Sequence, residues 1–260
     1  MIETSSLRRK LLDLAITGRL CRSAECGVRS SEYNGRVEVE KCREASTTDC
    51  TDGRACRPAT ADGRARTPAA PDSPDGRATS MKSPLPHGWK VVKLEDVCSS
   101  IADGDHQPPP KAKTGIPFLV ISNVASGTID FTDTRFVDES YYRSLNDNRV
   151  AHKGDVLITV TGSYGIAVPV DTDREFCFQR HIAVLKPNGI DRNYLTYVLQ
   201  STCCQKYFDK VATGTAQKTV GLAPLRLTPI PLPPLAEQKA IVAKVDELFS
   251  VLDAMKGSQK

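Results

Sequence analysis

The chain has 260 residues, enough for one substantial core with accessory segments, and its 35 Lys and Arg against 31 Asp and Glu leave a net charge of only +4. Residues 84–260 hold 20 basic and 19 acidic residues, without the clear basic excess of a protein that clamps DNA by itself. There is no run of about 18 apolar residues, and the short stretch Leu11 to Ile16, broken by Asp13, has no small-residue cleavage pattern; a soluble, cytoplasmic protein without membrane span or signal peptide is expected.

Residues 1–20 read as an N-terminal amphipathic helix. Ser5 and Ser6 can cap it, Leu7, Leu11 and Leu14 recur at i, i+4 and i+7, and Gly18 is placed to end it. So short a helix is marginal alone, so its leucine stripe should pack on the rest of the chain or on a partner. Residues 21–84 contain no Leu, Ile, Phe or Trp and repeat Asp-Gly-Arg-Ala from Asp52, Asp62 and Asp75. That composition cannot offset the entropy of ordering and reads as a disordered low-complexity linker. An arginine-rich arm for nucleic acid is the other reading, weakened by acids that nearly cancel the arginines.

At Leu85 the composition changes. Seven strands are predicted: Trp89 to Val97, Ile116 to Ile121, Thr128 to Phe131, Asp155 to Val160, Ile166 to Val170, Phe176 to Phe178 and His181 to Leu185. A helix over Arg192 to Phe208 carries Tyr194, Leu195, Val198 and Leu199 on one face, with Asp191 as its cap. The fold class is therefore α+β, with one mixed α/β domain over residues 85–232. Beyond the extended Ile230-Pro-Leu-Pro-Pro stretch, residues 233–260 form a helix. Its Ile241, Val245, Leu248, Leu252 and Met255 are spaced 4, 3, 4, 3, the seam of a coiled coil. The same face packed on the chain's own domain is the alternative.

Catalytic patterns are missing. Five of the nine cysteines fall within 21–84 and none forms a C-x-x-C pair, which disfavours zinc; Cys98, Cys177, Cys203 and Cys204 read as small buried hydrophobes or free thiols. Gly214 to Thr219 lacks the glycine before lysine that a phosphate loop needs, and Gly162-Ser-Tyr-Gly165 is a turn rather than a nucleophile elbow. His87, His106, His152 and His181 show no metal-ligand spacing, and no Rossmann-type glycine turn or Asn-Pro-Pro-Tyr segment occurs. No catalytic or metal-binding residue is assigned, and a binding module is expected. The polar detail lies in loops. His106 and Gln107 can meet base edges and Lys111 and Lys113 phosphates; Thr161, Ser163 and Tyr164 follow one strand, Gln179 and Arg180 another, and Gln217 and Lys218 lie in the Gly214 to Thr219 loop. Arg pairs well with guanine and Gln with adenine, although a surface turn facing water is the plainer reading of each.

Several segments then fall together in order. Leu7 to Leu20 resembles the short N-terminal conserved helix of the specificity subunits of type I restriction-modification systems. Leu85-Pro-His-Gly-Trp-Lys90 looks like the start of their target recognition domain, and Asp103-Gly-Asp-His106 with Pro108 like its early loop. Gly115 to Leu119 through Ser122-Asn123, then Gly154 to Ile158 with Gly162-Ser163, continue the pattern. Ile230-Pro-Leu-Pro-Pro-Leu-Ala-Glu-Gln-Lys-Ala-Ile-Val242 is similar to the junction between recognition domain and conserved helix. The resemblance implies a non-catalytic, DNA-reading chain; the family holds two recognition domains, and this sequence departs from it in having one. It implies methyltransferase subunits that hold S-adenosylmethionine, and a motor-nuclease restriction subunit that uses ATP and magnesium. It implies either a half-subunit that pairs with a second copy through Ile241, Val245, Leu248, Leu252 and Met255, or a truncated piece. An inactive remnant that mediates protein contacts and part of a fused methyltransferase or nuclease are the competing classes.

Overall fold

A computed structural model of the chain describes residues 4–20, 85–105 and 109–257. The expected linker over 21–84 lies outside the described residues. The first segment contributes α1 (Thr4–Ile16). From Leu85 the chain forms β1 (Lys90–Lys93), β2 (Cys98–Asp103), β3 (Ile116–Leu119), β4 (Arg135–Val137), α2 (Glu139–Ser144), β5 (Val156–Thr159), β6 (Ala167–Pro169), β7 (Cys177–Phe178) and β8 (Ile182–Pro187). There follow α3 (Arg192–Gln200), α4 (Thr202–Val211), α5 (Leu222–Arg226), β9 (Pro229–Leu232) and α6 (Leu235–Gly257). No helix among the described residues is long and apolar enough to cross a membrane.

The central sheet runs β2-β8-β5-β6 with every neighbour antiparallel. Successive side chains of a strand point to opposite faces. Ala183 and Leu185 of β8 and Val156 and Ile158 of β5 enter the core shared with the helices, whereas Ile182, Val184 and Leu157 enter a second core with Val170, Phe176 and Phe178. Burial on both faces explains why these strands read as unbroken apolar runs. A smaller sheet, β4-β3-β7, pairs β3 with β4 antiparallel and with β7 parallel, and packs Phe118, Val137 and Cys177 against Tyr142.

β1 and β9 pair the beginning of the 85–232 segment with its end, Lys90 opposite Leu232. Pro229 and Pro231 cannot donate, so the ladder to β1 must use the N–H groups of Ile230 and Leu232. The carbonyl of Pro231 then has no strand partner, and the buried Tyr194 hydroxyl donates to it at 2.8 Å.

Several expectations are corrected. Thr128 to Phe131 is not a strand: the Asn123 amide donates to the carbonyls of Asp130 and Asp133, and Asp130 N–H donates to Asn123, so side-chain capping replaces a ladder. The strand lies further on, at β4. β2 was not expected, because the serines of Cys98-Ser-Ser-Ile interrupt its apolar pattern. The long helix breaks at Ser201, whose extended backbone ends α3 and whose hydroxyl caps α4. Asp191 does cap α3, accepting from Asn193 and Tyr194 N–H at 2.9 Å. Cys177 and Cys204 are buried and Cys98 and Cys203 half-buried, all as free thiols, and burial pushes Cys98 and Cys177 up to about 12, as packing residues and not nucleophiles.

In α1 the helix already includes Ser5 and Ser6, so neither stands before it as a cap. Its buried face is Leu12, Ala15 and Ile16, while Leu14 is 38% exposed and Leu7 and Leu11 are half-buried. Arg8, on the same face as Leu12 and Ala15, pairs with Asp253 of α6 and lies over the Phe249 ring. Asp13 accepts the Thr202 N–H at the start of α4 at 2.8 Å. α1 thus packs on its own chain. The seam of α6 does the same: Ile241 and Val245 belong to the main core and Leu252 is buried, so these three are not open to a partner, Leu248 is half-buried, and only Met255 of the five is exposed. Ile241→Ala is therefore expected to cost about 2–5 kcal/mol and Met255→Ala less than about 0.5 kcal/mol, as read by guanidinium unfolding of the full chain.

Candidate nucleic-acid interface

The antiparallel registers decide where polar loops collect. Asp103 lies opposite Ala183 and Thr159 opposite Ile182, so the C-terminal ends of β2 and β5 and the N-terminal end of β8 share one end of the central sheet. Asp105 bridges Gln179, Gln179 N–H donates to Leu119, Gly104 N–H to Ile182 and Val160 N–H to His181. The approach is tight: a β-carbon on Gly104 would stand 2.2 Å from the Phe178 carbonyl oxygen, which only glycine avoids.

A fourth loop joins this end. Thr213 and Thr219 exchange backbone hydrogen bonds of 2.9 and 2.8 Å, closing the loop Gly214 to Lys218. Gly162 N–H donates to Lys218, Val220 N–H to Val160, and the Thr219 hydroxyl to that of Thr161. Between the loops is a cleft of about 380 Å³ whose polar walls are Asp103, Thr161, Arg180, His181, Gln217 and Thr219.

This arrangement brings Gln179, Arg180, Thr161, Gln217 and Lys218 together from segments up to 57 residues apart. Arg180, Gln217 and Lys218 are exposed, and the two cations have no ion-pair partner among the described residues. Thr161 is buried and tied to Thr219, so it positions the loops instead of presenting a hydroxyl. Tyr164 is likewise engaged elsewhere, packing against the main core and donating to Asp209 of α4 at 2.8 Å. Ser163 is exposed in the β5–β6 turn, its carbonyl accepting from the Thr159 hydroxyl. Lys111 and Lys113 are exposed beside β4, where Ala112 N–H donates to Phe136, and they do not line the cleft. His106 and Gln107 lie outside the described residues.

Three polar cleft residues, Asp103, His181 and Thr219, are not among the contacts expected from sequence. Asp103 sits 3.8 Å from Arg149, which also approaches Asp105 at 3.7 Å, and Tyr141 donates to Asp105. An internal cation therefore offsets the acids of Asp103-Gly-Asp105. His181 closes the Gln179-Arg180 turn, its Nδ1 bonded to the Gln179 amide nitrogen. Burial, and next the charge of Arg180, hold its pKa below the ordinary histidine value. Its position three residues after the strand Phe176 to Phe178 was the available signal, but only pairing with β2 and β5 aims it at the cleft.

Residues 86–260 match the family described as type I restriction modification DNA specificity domain. The chain belongs to this family. Among curated relatives, the type I restriction enzyme MjaVIII specificity subunit of Methanocaldococcus jannaschii is 26% identical over 176 residues, covering 65% of this chain and 41% of that protein. The EcoBI specificity subunit of Escherichia coli is also 26% identical over 176 residues, covering 66% and 37%. Among solved structures, the HsdS subunit from Thermoanaerobacter tengcongensis superposes with a TM-score of 0.51 at 27% identity, covering 69% of this chain and 42% of that one. A chain from a study of complex assembly and conformational transition of the type I R-M system gives 0.55 at 27% identity, covering 69% and 43%. The mixed helix-and-sheet fold is thus that of the specificity proteins, and this chain spans about two-fifths of the length of these relatives.

The depressed pKa leaves His181 neutral at pH 7. Protonating it opposes the folded state, an effect that sets in as pH falls below about 6.5. An NMR titration should place the His181 midpoint below that of the denatured chain, and Arg180→Ala should raise it only in part, because burial is the larger cause.

Proposed function

We propose that this chain reads DNA sequence for a type I restriction-modification complex, and that its loop cluster at the end of the central sheet is the reading surface. The observation that carries the proposal is the match of residues 86–260 to the DNA specificity family. The cleft is consistent with it: Arg180 and Gln217 are side chains suited to base edges and Lys218 to a phosphate, while Arg149 balances Asp103 and Asp105. In this reading the chain is non-catalytic and binds no cofactor. Methyltransferase subunits hold S-adenosylmethionine and modify adenine, and a restriction subunit uses ATP and magnesium. A near-neutral reading domain suits such a division, since the other subunits supply much of the phosphate contact that affinity requires.

Two half-sites are read together when a second copy, or another specificity chain, pairs with this one. Val251 and Met255, 52% and 51% exposed on the distal part of α6, are the surface proposed for that pairing, in place of the buried Ile241 and Val245. The test is co-expression with a type I methyltransferase subunit. Co-purification and methylation of a split adenine site support the proposal; no association and no methylation overturn it. In the assembled complex, Lys218→Ala is expected to weaken all duplexes alike and lower the slope of log affinity against log salt by about 0.9. Arg180→Ala should instead cost about 1–3 kcal/mol on the preferred sequence only, measured by competition binding.

A further inference from the structure

We infer that His181 is a specificity-determining residue whose ring N–H donates to the N7 acceptor of a purine presented to the cleft. The inference rests on the DNA-reading function proposed above and names the chemistry it selects. His181 lines the cleft, whereas Gln179 does not. The Gln179 amide nitrogen lies on Nδ1 and can only donate, so Nδ1 is occupied and acts as an acceptor. A neutral imidazole that accepts at Nδ1 carries its proton on Nε2, the edge left for the cleft. Burial and the neighbouring Arg180 keep the ring neutral, which maintains this donor and acceptor assignment near pH 7.

The donor is also held in place. The His181 carbonyl accepts from Val160 N–H at 2.9 Å, and Ile182 N–H closes the turn onto Gln179 at 3.0 Å, so the backbone on both sides of the ring is fixed by the sheet end. A fixed donor discriminates by what it meets. Both purines present N7 as an acceptor in the major groove, whereas cytosine presents an amino donor and would leave two donors facing each other. Gln217, an exposed cleft residue from the Gly214 to Lys218 loop, can both donate and accept and so adapts to either purine.

The experiment selects preferred sequences from a random duplex library with the full chain assembled with its methyltransferase partner. Each purine of the selected site is then replaced by its 7-deaza analogue, which lacks the N7 acceptor. One position is expected to lose about tenfold in affinity, the scale of a single base contact. His181→Phe keeps the ring but not the donor, and is expected to bind the unmodified site about tenfold more weakly while losing all sensitivity at that position. Lys218→Ala should weaken binding yet retain the tenfold effect. Gln179→Ala keeps the histidine but releases the ring, and is expected to shrink the deaza effect to less than about threefold. If no purine N7 matters, or if His181→Phe or Gln179→Ala retains the full loss, the inference is overturned while sequence reading stands. Absence of any selected sequence overturns that reading and the inference with it.

Discussion

Because Val156 to Ile158 of β5 and Ile182 to Leu185 of β8 are buried on both faces, these stretches present no polar side chain, and the polar groups that reach the cleft lie beyond them at the sheet end. Antiparallel pairing with β2 then brings three such ends together, and the Thr213 to Thr219 loop is tied to the same place through Val160, Gly162 and Thr161. The cleft is a consequence of this pairing. Its walls come from short segments that are individually unremarkable turns, and the rigid sheet beneath them sets their spacing, as is usual for binding loops on a scaffold.

Within this end the acids have a cation beside them, while Arg180 and Lys218 are exposed without an ion-pair partner among the described residues. Arg149 approaches both Asp103 and Asp105, and Tyr141 adds a hydrogen bond to Asp105. These long, partly exposed ion pairs contribute little to stability. Their effect is local: they leave Arg180 and Lys218 as the outward charge of the cluster without any net basic excess in the domain. A nearly neutral chain can therefore still expose two cations at one end of its sheet.

The two terminal helices serve the domain rather than standing apart from it. α1 reaches α6 through Arg8 to Asp253 and Phe249, and caps α4 through Asp13. Gln238 at the start of α6 is buried, accepting from Asp191 N–H and donating to Pro233, which ties the helix to the cap of α3. Segments separated by more than 60 residues meet again here: a β-carbon on Gly18 would lie 2.1 Å from Pro86 Cγ, so the chain before position 21 and the chain after 84 share one packed surface.

Much was legible in the amino-acid order because it depends on local chemistry. The change of composition at Leu85, the apolar runs of β5 and β8, the Asp191 cap and the ordered motifs from Leu85 to Val242 all identify the family and the α+β class without reference to distant contacts. Site residues were legible as types: Gln179, Arg180, Gln217 and Lys218 were selected by their hydrogen-bonding capacity. What only the tertiary structure decided was which of them face the same space. Thr161 and Tyr164 have the same hydroxyl chemistry as any surface contact, and are withdrawn from it by Thr219 and Asp209, partners 58 and 45 residues away. His181 enters the cleft for the converse reason, since strand register rather than sequence spacing aims its ring. The spacing of Ile241, Val245 and Leu252 showed that α6 has an apolar face; whether that face meets another chain or its own core depends on what packs beside it, and periodicity is the same in both cases.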